Sequence, residues 1–392
     1  MARRVQKKRT SPLVRVLKVL YIMLVIVSVI IVGTFAAYQV FIGPPDVEDQ
    51  VTFPITSPQP SQDVTASQEP EATPSDDVVV YTRREGVYTC LLTGSDEGNL
   101  RADTIMLGCF DTNNKTATLV SIPRDTLVLR NGKNSKINAV YGNGKGEAMA
   151  QAVSELLGVP VDYYVSVDLD AFGAIVKAIG GVYFDVPIDM NYDDPTQNLH
   201  IHLSAGLQDI DGDKAMQLLR WRKNSDAYGN VYGGYPNGDL GRIETQQAFL
   251  KAVIEKCLNS ISLGTIPKMA QIFLDNVDTN GSLTVNNLAW FAKEAIVGGL
   301  SMENVHFMTL PNRGASVYSR TYHNYQSYVT PIPDEMLELV NTCFNPYLED
   351  IELNELDLMQ VNEDGSLSFI GSPLLDGIIA VMFVAFFVMG VA

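Results

Sequence analysis

Acidic and arginine residues gather at four places along this 392-residue chain. Asp96 closes Thr93-Gly94-Ser95-Asp96, and Asp103 stands in Arg101-Ala102-Asp103-Thr104, so two carboxylates and a guanidinium fall at the ends of neighbouring strand-like runs. Carboxylates so placed suit a hard cation such as Mg2+ (or Mn2+), which takes one or two of them together with phosphate oxygens and water. Asp and Gly also make ordinary turns at such points. In Ser121-Ile122-Pro123-Arg124-Asp125-Thr126 an arginine follows a proline that fixes the local backbone, and the Arg/Asp pair reads either as part of a site or as a salt bridge. Leu219-Arg220-Trp221-Arg222 reads as the end of a strand over 215–222, whose alternation sets Arg220 and Arg222 on one face. Two like charges side by side repel, which a shared anion relieves, and guanidinium forks pair with phosphate through two hydrogen bonds. Two solvated surface arginines would leave the same pattern. Finally, Gly238-Asp239-Leu240-Gly241-Arg242, with Gln246 one turn on, opens a helix. The free N–H groups there favour anions, and Arg242 adds a cation where an acid is the usual preference. Strand ends, a glycine-containing loop and a helix start are where α/β folds gather ligands, and the four clusters agree on phosphate.

The elements that must position these residues alternate. β-prone runs over 88–94, 104–110 and 116–122 are followed by a helix over 146–157, which Gly158 and Pro160 end. A strand over 163–167, an apolar helix over 171–179 stopped by Gly180-Gly181, and a strand over 182–186 come next. A long helix spans about 241–259, and a strand-like run covers 305–310. Strands alternating with helices indicate a layered α/β domain, here a three-layer sandwich with a central mixed β-sheet flanked by helices. Cys90 and Cys109 lie in strand-like runs close in sequence and are read either as a disulfide or as two buried thiols; none of the four cysteines has zinc-site spacing.

The N-terminal end of the chain is of another kind. Residues 19–42 carry no charge, and 24 residues of helix reach ~36 Å, enough to cross a bilayer. Seven cations precede this run and Asp46, Glu48 and Asp49 follow it, which predicts a single-pass anchor with residues 1–18 as a cytoplasmic tail. Residues 43–78, rich in Pro, Ser, Thr and acids, read as a disordered stalk. The net charge is −17, and the seven tail cations removed it is −24, which argues against nucleic acid as a partner of the outer part. The apolar 374–392 segment is expected to associate with the membrane.

The ordered motifs Leu-Leu-Thr-Gly-Ser-Asp96, Arg101-Ala-Asp103-Thr-Ile-Met-Leu, Ser-Ile-Pro-Arg124-Asp125-Thr, Lys136-Ile137-Asn138-Ala-Val-Tyr141, Arg220-Trp-Arg222 and Gly-Asp239-Leu-Gly-Arg242 closely resemble the LytR-CpsA-Psr proteins over roughly residues 86–260. The resemblance implies a Gram-positive cell-envelope phosphotransferase that moves a glycopolymer (teichoic acid, capsule or another glycan) from an undecaprenyl-pyrophosphate carrier to peptidoglycan at the outer face of the membrane. It implies Asp96 and Asp103 as Mg2+ ligands, and Arg101, Arg124, Arg220, Arg222, Arg242 and Gln246 around the pyrophosphate. Asp103, Arg124 and Asp125 are the implied catalytic residues, with Asp103 or Asp125 as the base. Residues 79–260 form the expected catalytic domain, and 261–370 an accessory part or its continuation. Helices over 171–179 and 249–258 are candidates to wall the tunnel that the family uses for the lipid. One departure stands out: Thr245 occupies a place where many members carry a second arginine. Two other readings of the same site are a lipid-pyrophosphate hydrolase and a non-enzymatic polyprenyl-phosphate-binding regulator.

Overall fold

Alternating apolar residues form the central sheet because each strand can bury two faces. Leu91, Ile105, Leu107, Cys109 and Val120 point into one core, whereas Leu92, Met106, Leu119 and Val305 point into another on the opposite side. The computed structural model describes residues 43–47, 50–54, 78–95, 100–130, 133–196, 199–226, 228–319, 323–362 and 367–370. Residues 46–392 cluster as one unit, described here by itself.

In chain order the strands are β1 (Gln50–Pro54), β2 (Val78–Thr82), β3 (Val87–Ser95), β4 (Ala102–Asp111), β5 (Thr116–Ser121), β6 (Leu127–Arg130), β7 (Lys133–Lys136), β8 (Tyr163–Val167), β9 (Val182–Val186), β10 (Met190–Asp194), β11 (Leu199–Leu203), β12 (Gly206–Ile210), β13 (Asn224–Ser225), β14 (Val231–Tyr232), β15 (Asp278–Thr279), β16 (Val305–Thr309), β17 (Asn312–Ser319), β18 (Asn324–Pro331), β19 (Leu358–Val361) and β20 (Leu367–Ile370). The helices are α1 (Lys145–Leu157), α2 (Leu169–Ala178), α3 (Gly212–Arg220), α4 (Asp239–Ser260), α5 (Ile266–Leu274), α6 (Val285–Ile296) and α7 (Pro333–Cys343). The central sheet runs β15-β8-β3-β4-β5-β16. β3 lies parallel to β8, β5 parallel to β16, and the remaining pairs are antiparallel, so the sheet is mixed.

Helices cover both faces. α1 and α7 bring Met149, Val153, Leu156, Met336 and Val340 against Leu91 and Leu107. On the other face α6 sets Phe291 edge-on to Tyr88, with ring centroids 5.0 Å apart. Because β16 pairs with β5, residues 305–309 belong to the same sheet as the motifs of the first half. A second core joins α2, α3 and α4 to the β9–β12 hairpins around Trp221 and Phe249. Phe172 of α2 and Phe249 of α4 pack there with ring centroids 6.1 Å apart.

Two expectations are corrected, and the choice left open for Cys90 and Cys109 falls to the thiols. The strand over 215–222 is instead α3: the Asp211 carboxylate accepts from Lys214 N–H at 2.9 Å to cap it, and Ala215, Leu218 and Trp221 bury at helical spacing. The stalk over 43–78 contains a strand, since Val51 and Phe53 sit in a β-prone run that pairs antiparallel with β2. Cys90 and Cys109 are free thiols, because Cys90 lies opposite Gly108 and Cys109 opposite Thr89, which turns the two side chains to opposite faces. Burial pushes both thiols up to about 12. Residues 1–42 and 374–392 lie outside the described residues, among which no helix is long and apolar enough to cross a membrane.

α2 and α3 approach so closely that a Cβ on Gly212 would overlap the Gly173 carbonyl oxygen. Gly212→Ala is therefore expected to destabilise the fold by about 1–3 kcal/mol. Gly264→Ala, where an added Cβ meets nothing within 4 Å, should change little. Urea midpoints of the two variants check this, and equal midpoints would contradict it.

Candidate functional site

Asp103 owes its position to an irregularity in the sheet. β3 and β4 pair Gly94 with Thr104 but Ser95 with Ala102, so Asp103 is the extra residue of a β-bulge at the strand end. Bulges of this kind re-aim a side chain, and here the carboxylate turns out to solvent beside the next strand's end. After β5 the Pro123–Thr126 turn is held from several sides. Thr126 N–H donates to Pro123 O (3.0 Å), Asn138 N–H to Arg124 O (3.2 Å) and Val329 N–H to Asp125 O (3.0 Å). Arg124 and Asp125 are thus presented on a pinned turn, although their side chains are half-exposed.

Three of the four sequence clusters meet at this place. Arg124 Nη1 lies 2.9 Å from Asp103 Oδ1, and Arg222 Nη2 lies 3.7 Å from Asp103 Oδ2. Arg222 arrives from the loop that follows α3, where Trp221 turns extended and buries its indole. Arg101, Asp103, Arg124, Asp125, Lys136, Asn138 and Arg222 line one open pocket of about 360 Å³. Lys136 and Asn138 were not among the expected site residues. Lys136 Nζ pairs with Asp125 Oδ1 at 3.0 Å, and Asn138 is buried where the chain leaves β7. Their signal was present, since both stand in the Lys136-Ile137-Asn138 motif.

The remaining expected residues lie elsewhere. Arg220 ends α3 and does not line this pocket; burial lowers its pKa from the usual arginine value, because a cation out of water is disfavoured. Gln246 Nε2 donates to Leu219 O at 3.4 Å, which ties α4 to the end of α3 next to Arg220. Arg242 is half-buried in the first turn of α4 and likewise does not line the pocket. Thr245 is buried and donates its hydroxyl to Gly241 O at 2.9 Å within its own helix. Asp96 lies outside the described residues, as does the side chain of Asp239.

The donor set fits a hard cation shared with an anion. Asp103 offers carboxylate oxygens at the pocket wall, Asp125 offers more, and several cations around them would hold phosphate oxygens to complete the coordination. Separately, a groove of about 580 Å³ runs between α4 and β16, lined by Glu244, Gln247, Ala248, Lys251, Val305, His306, Phe307 and Met308.

A mixed sheet with helices on both faces, carrying carboxylates and arginines at its strand ends, defines an α/β protein with an anion-type pocket. The chain belongs to the LytR_cpsA_psr family, whose model matches residues 54–339. It is 30% identical over 230 residues to the polyisoprenyl-teichoic acid–peptidoglycan teichoic acid transferase TagV of Bacillus subtilis strain 168, covering 57% of this chain and 55% of that protein. The chain thus spans about half the length of that relative. The transferase of the same description named TagU, from Bacillus mycoides, is 30% identical over 269 residues, or 67% of this chain and 79% of that one. The crystal structure of B. subtilis TagV shares the fold with a TM-score of 0.53 at 24% identity, covering 66% of this chain and 96% of that chain. A LytR-Csp2A-Psr enzyme from Actinomyces oris shares it with a TM-score of 0.52 at 20% identity, covering 68% and 93%.

Proposed function

We propose that this chain is a phosphotransferase that moves a glycopolymer from a polyprenyl-pyrophosphate carrier to peptidoglycan, at the outer face of a membrane to which residues 19–42 anchor it. The observation that carries the reading is the pocket where Asp103 faces Arg124 and Arg222. Support comes also from the relatives at 30% identity, which are described as teichoic acid–peptidoglycan transferases.

The charge of a pyrophosphate sets what the residues must do. Phosphoryl transfer places little covalent demand on a protein, so positioning and neutralisation carry the catalysis. Arg101, Arg124 and Arg222 line the pocket and take the pyrophosphate oxygens. Arg220, Arg242 and Gln246 lie outside that lining, at the end of α3 and the first turns of α4, and an anion bound beside Arg220 would restore the charge solvation that burial costs it. In the free protein the Asp103 carboxylate holds two of the guanidinium groups that the phosphates will claim, so the arginines start close to where they are used. Asp103 and Asp125 both stand within the pocket wall to receive the proton of the attacking hydroxyl. Lys136, paired with Asp125, fixes the second of these carboxylates.

Asp103, with Asp96, would hold Mg2+ or Mn2+, which supplies positive charge to the pyrophosphate. Transfer of a synthetic polyprenyl-pyrophosphate glycan to peptidoglycan oligomers tests the reading. With the full-length protein, chelating divalent ions should cut the rate on the order of 10²-fold, and Mg2+ should restore it. Release of the glycan to water alone, with no product on peptidoglycan, would make the protein a hydrolase. Tight lipid binding without turnover would make it a binding protein.

A further inference from the structure

Half of the chain's four histidines stand on one short hairpin. β10 and β11 pair Asp193 with His200 and Asn191 with His202. Alternation sends Met190, Ile201 and Leu203 into the second core and leaves Asn191, Asp193, His200 and His202 together on the outer face. The two imidazoles converge on one carboxylate oxygen. His200 Nδ1 lies 2.6 Å from Asp193 Oδ1, and His202 Nε2 lies 3.3 Å from the same oxygen. All three ligand atoms fall within 4.8 Å of one another.

We propose that Asp193, His200 and His202 form a second metal site, for Zn2+ or a similar borderline transition ion, with water at the remaining position. Tetrahedral zinc with bonds of about 2.0–2.1 Å sets its ligand atoms roughly 3.3 Å apart. The His202–Asp193 separation already has that value, and His200 needs only to exchange its hydrogen bond for a bond to the ion. A second contact prepares His202. Its Nδ1 lies 3.3 Å from Asn191 Oδ1, and a proton donated there leaves the Nε2 lone pair directed at Asp193. The backbone beneath is anchored. Asn191 N–H donates to Asn224 Oδ1 (2.7 Å), Asp193 N–H to Ser225 Oγ (2.9 Å) and His202 N–H to Gln217 Oε1 (2.9 Å).

Ligand chemistry separates this site from the arginine pocket. Two imidazoles and one carboxylate select zinc, copper, nickel or cobalt, whereas the all-oxygen donors at Asp103 suit magnesium. An ion here clamps β10 to β11, and β10 in turn bonds to Asn224, two residues beyond Arg222. The site therefore stiffens the base of the loop that brings Arg222 to the pocket.

The test uses untagged full-length protein freed of metal and titrated calorimetrically with Zn2+, with Co2+ as a spectroscopic probe of coordination. We expect one zinc per chain, a tetrahedral cobalt spectrum and a raised Tm on binding. H200A/H202A should remove all three, and Asn191→Ala should weaken binding about 10–100-fold. Asp103→Asn should leave zinc binding intact, and excess Mg2+ should not compete. Both histidines are exposed, so the double variant keeps its fold, and its metal-free Tm verifies this. Zinc binding no tighter in the wild type than in H200A/H202A would overturn the proposal. So would zinc binding that moves with Asp103 instead of the histidines.

Discussion

Arg124→Ala is expected to lower the rate of glycopolymer transfer by about 10²–10³-fold, with urea and thermal midpoints close to those of the wild type. The two halves of this expectation come from different properties of the same side chain. Arg124 is 41% exposed and its partner Asp103 37% exposed, so their ion pair at 2.9 Å sits in screening solvent and contributes at most about 1 kcal/mol to folding. A charge that neutralises a pyrophosphate as its bond breaks is worth far more, because it acts where negative charge is redistributed. Arg124→Lys discriminates further. Lysine keeps the charge but loses the planar fork, so a bidentate role predicts partial recovery, and a purely electrostatic role predicts nearly full recovery. An Arg124→Ala protein that folds and transfers at the wild-type rate would remove this pocket from the reaction. Assays of the initial rate at saturating and at limiting lipid substrate separate loss of binding from loss of turnover.

Most of the central sheet was legible because its strands are buried on both faces and bounded by turn residues. The strand Tyr163–Val167 and the strand Val182–Val186 have the boundaries expected of them, set by Pro160 before the first and Gly180-Gly181 before the second. α3 was misread because two arginines with one residue between them suggest strand alternation. The stronger signal lay upstream, in Asp211 as a helix cap and in the three-residue spacing of Ala215, Leu218 and Trp221. The consequence for the site is direct. With Arg220 on the last turn of a helix and Arg222 in the following loop, the two are not side by side, and only Arg222 lines the pocket with Asp103. The bulge that aims Asp103 was also invisible, since a one-residue shift of pairing between Gly94 and Ser95 depends on the partner strand and leaves no local pattern. The meeting of Asp103, Arg124 and Arg222 rests on pairings between distant segments, which periodicity cannot report. The hairpin histidines went unread for the same reason: His200 and His202 alternate on one strand, but their carboxylate comes from the other.

The largest stability effect is expected far from that pocket, at Asp162. Its carboxylate lies 2.7 Å from Arg83 Nη2, with side chains only 8% and 4% exposed. The same Oδ2 accepts from Thr89 N–H at 2.8 Å and from the Thr89 hydroxyl at 3.0 Å, and Arg83 Nη2 also donates to Val87 O at 3.1 Å. These bonds join β2's end, the start of β3 and the approach to β8, where the parallel pairing of β3 with β8 begins at Cys90 and Tyr163. Asp162→Ala leaves the guanidinium charge in the interior without its counterion, which costs about 3–5 kcal/mol, or roughly 10²–10³·⁵ in the folding constant. Arg83→Met with Asp162→Leu should cost less than Asp162→Ala alone, because no unpaired charge is then buried. Denaturant midpoints at fixed m-value measure both, and a double variant at least as unstable as the single one would show that the pair holds the strands through its hydrogen bonds to Thr89 and Val87.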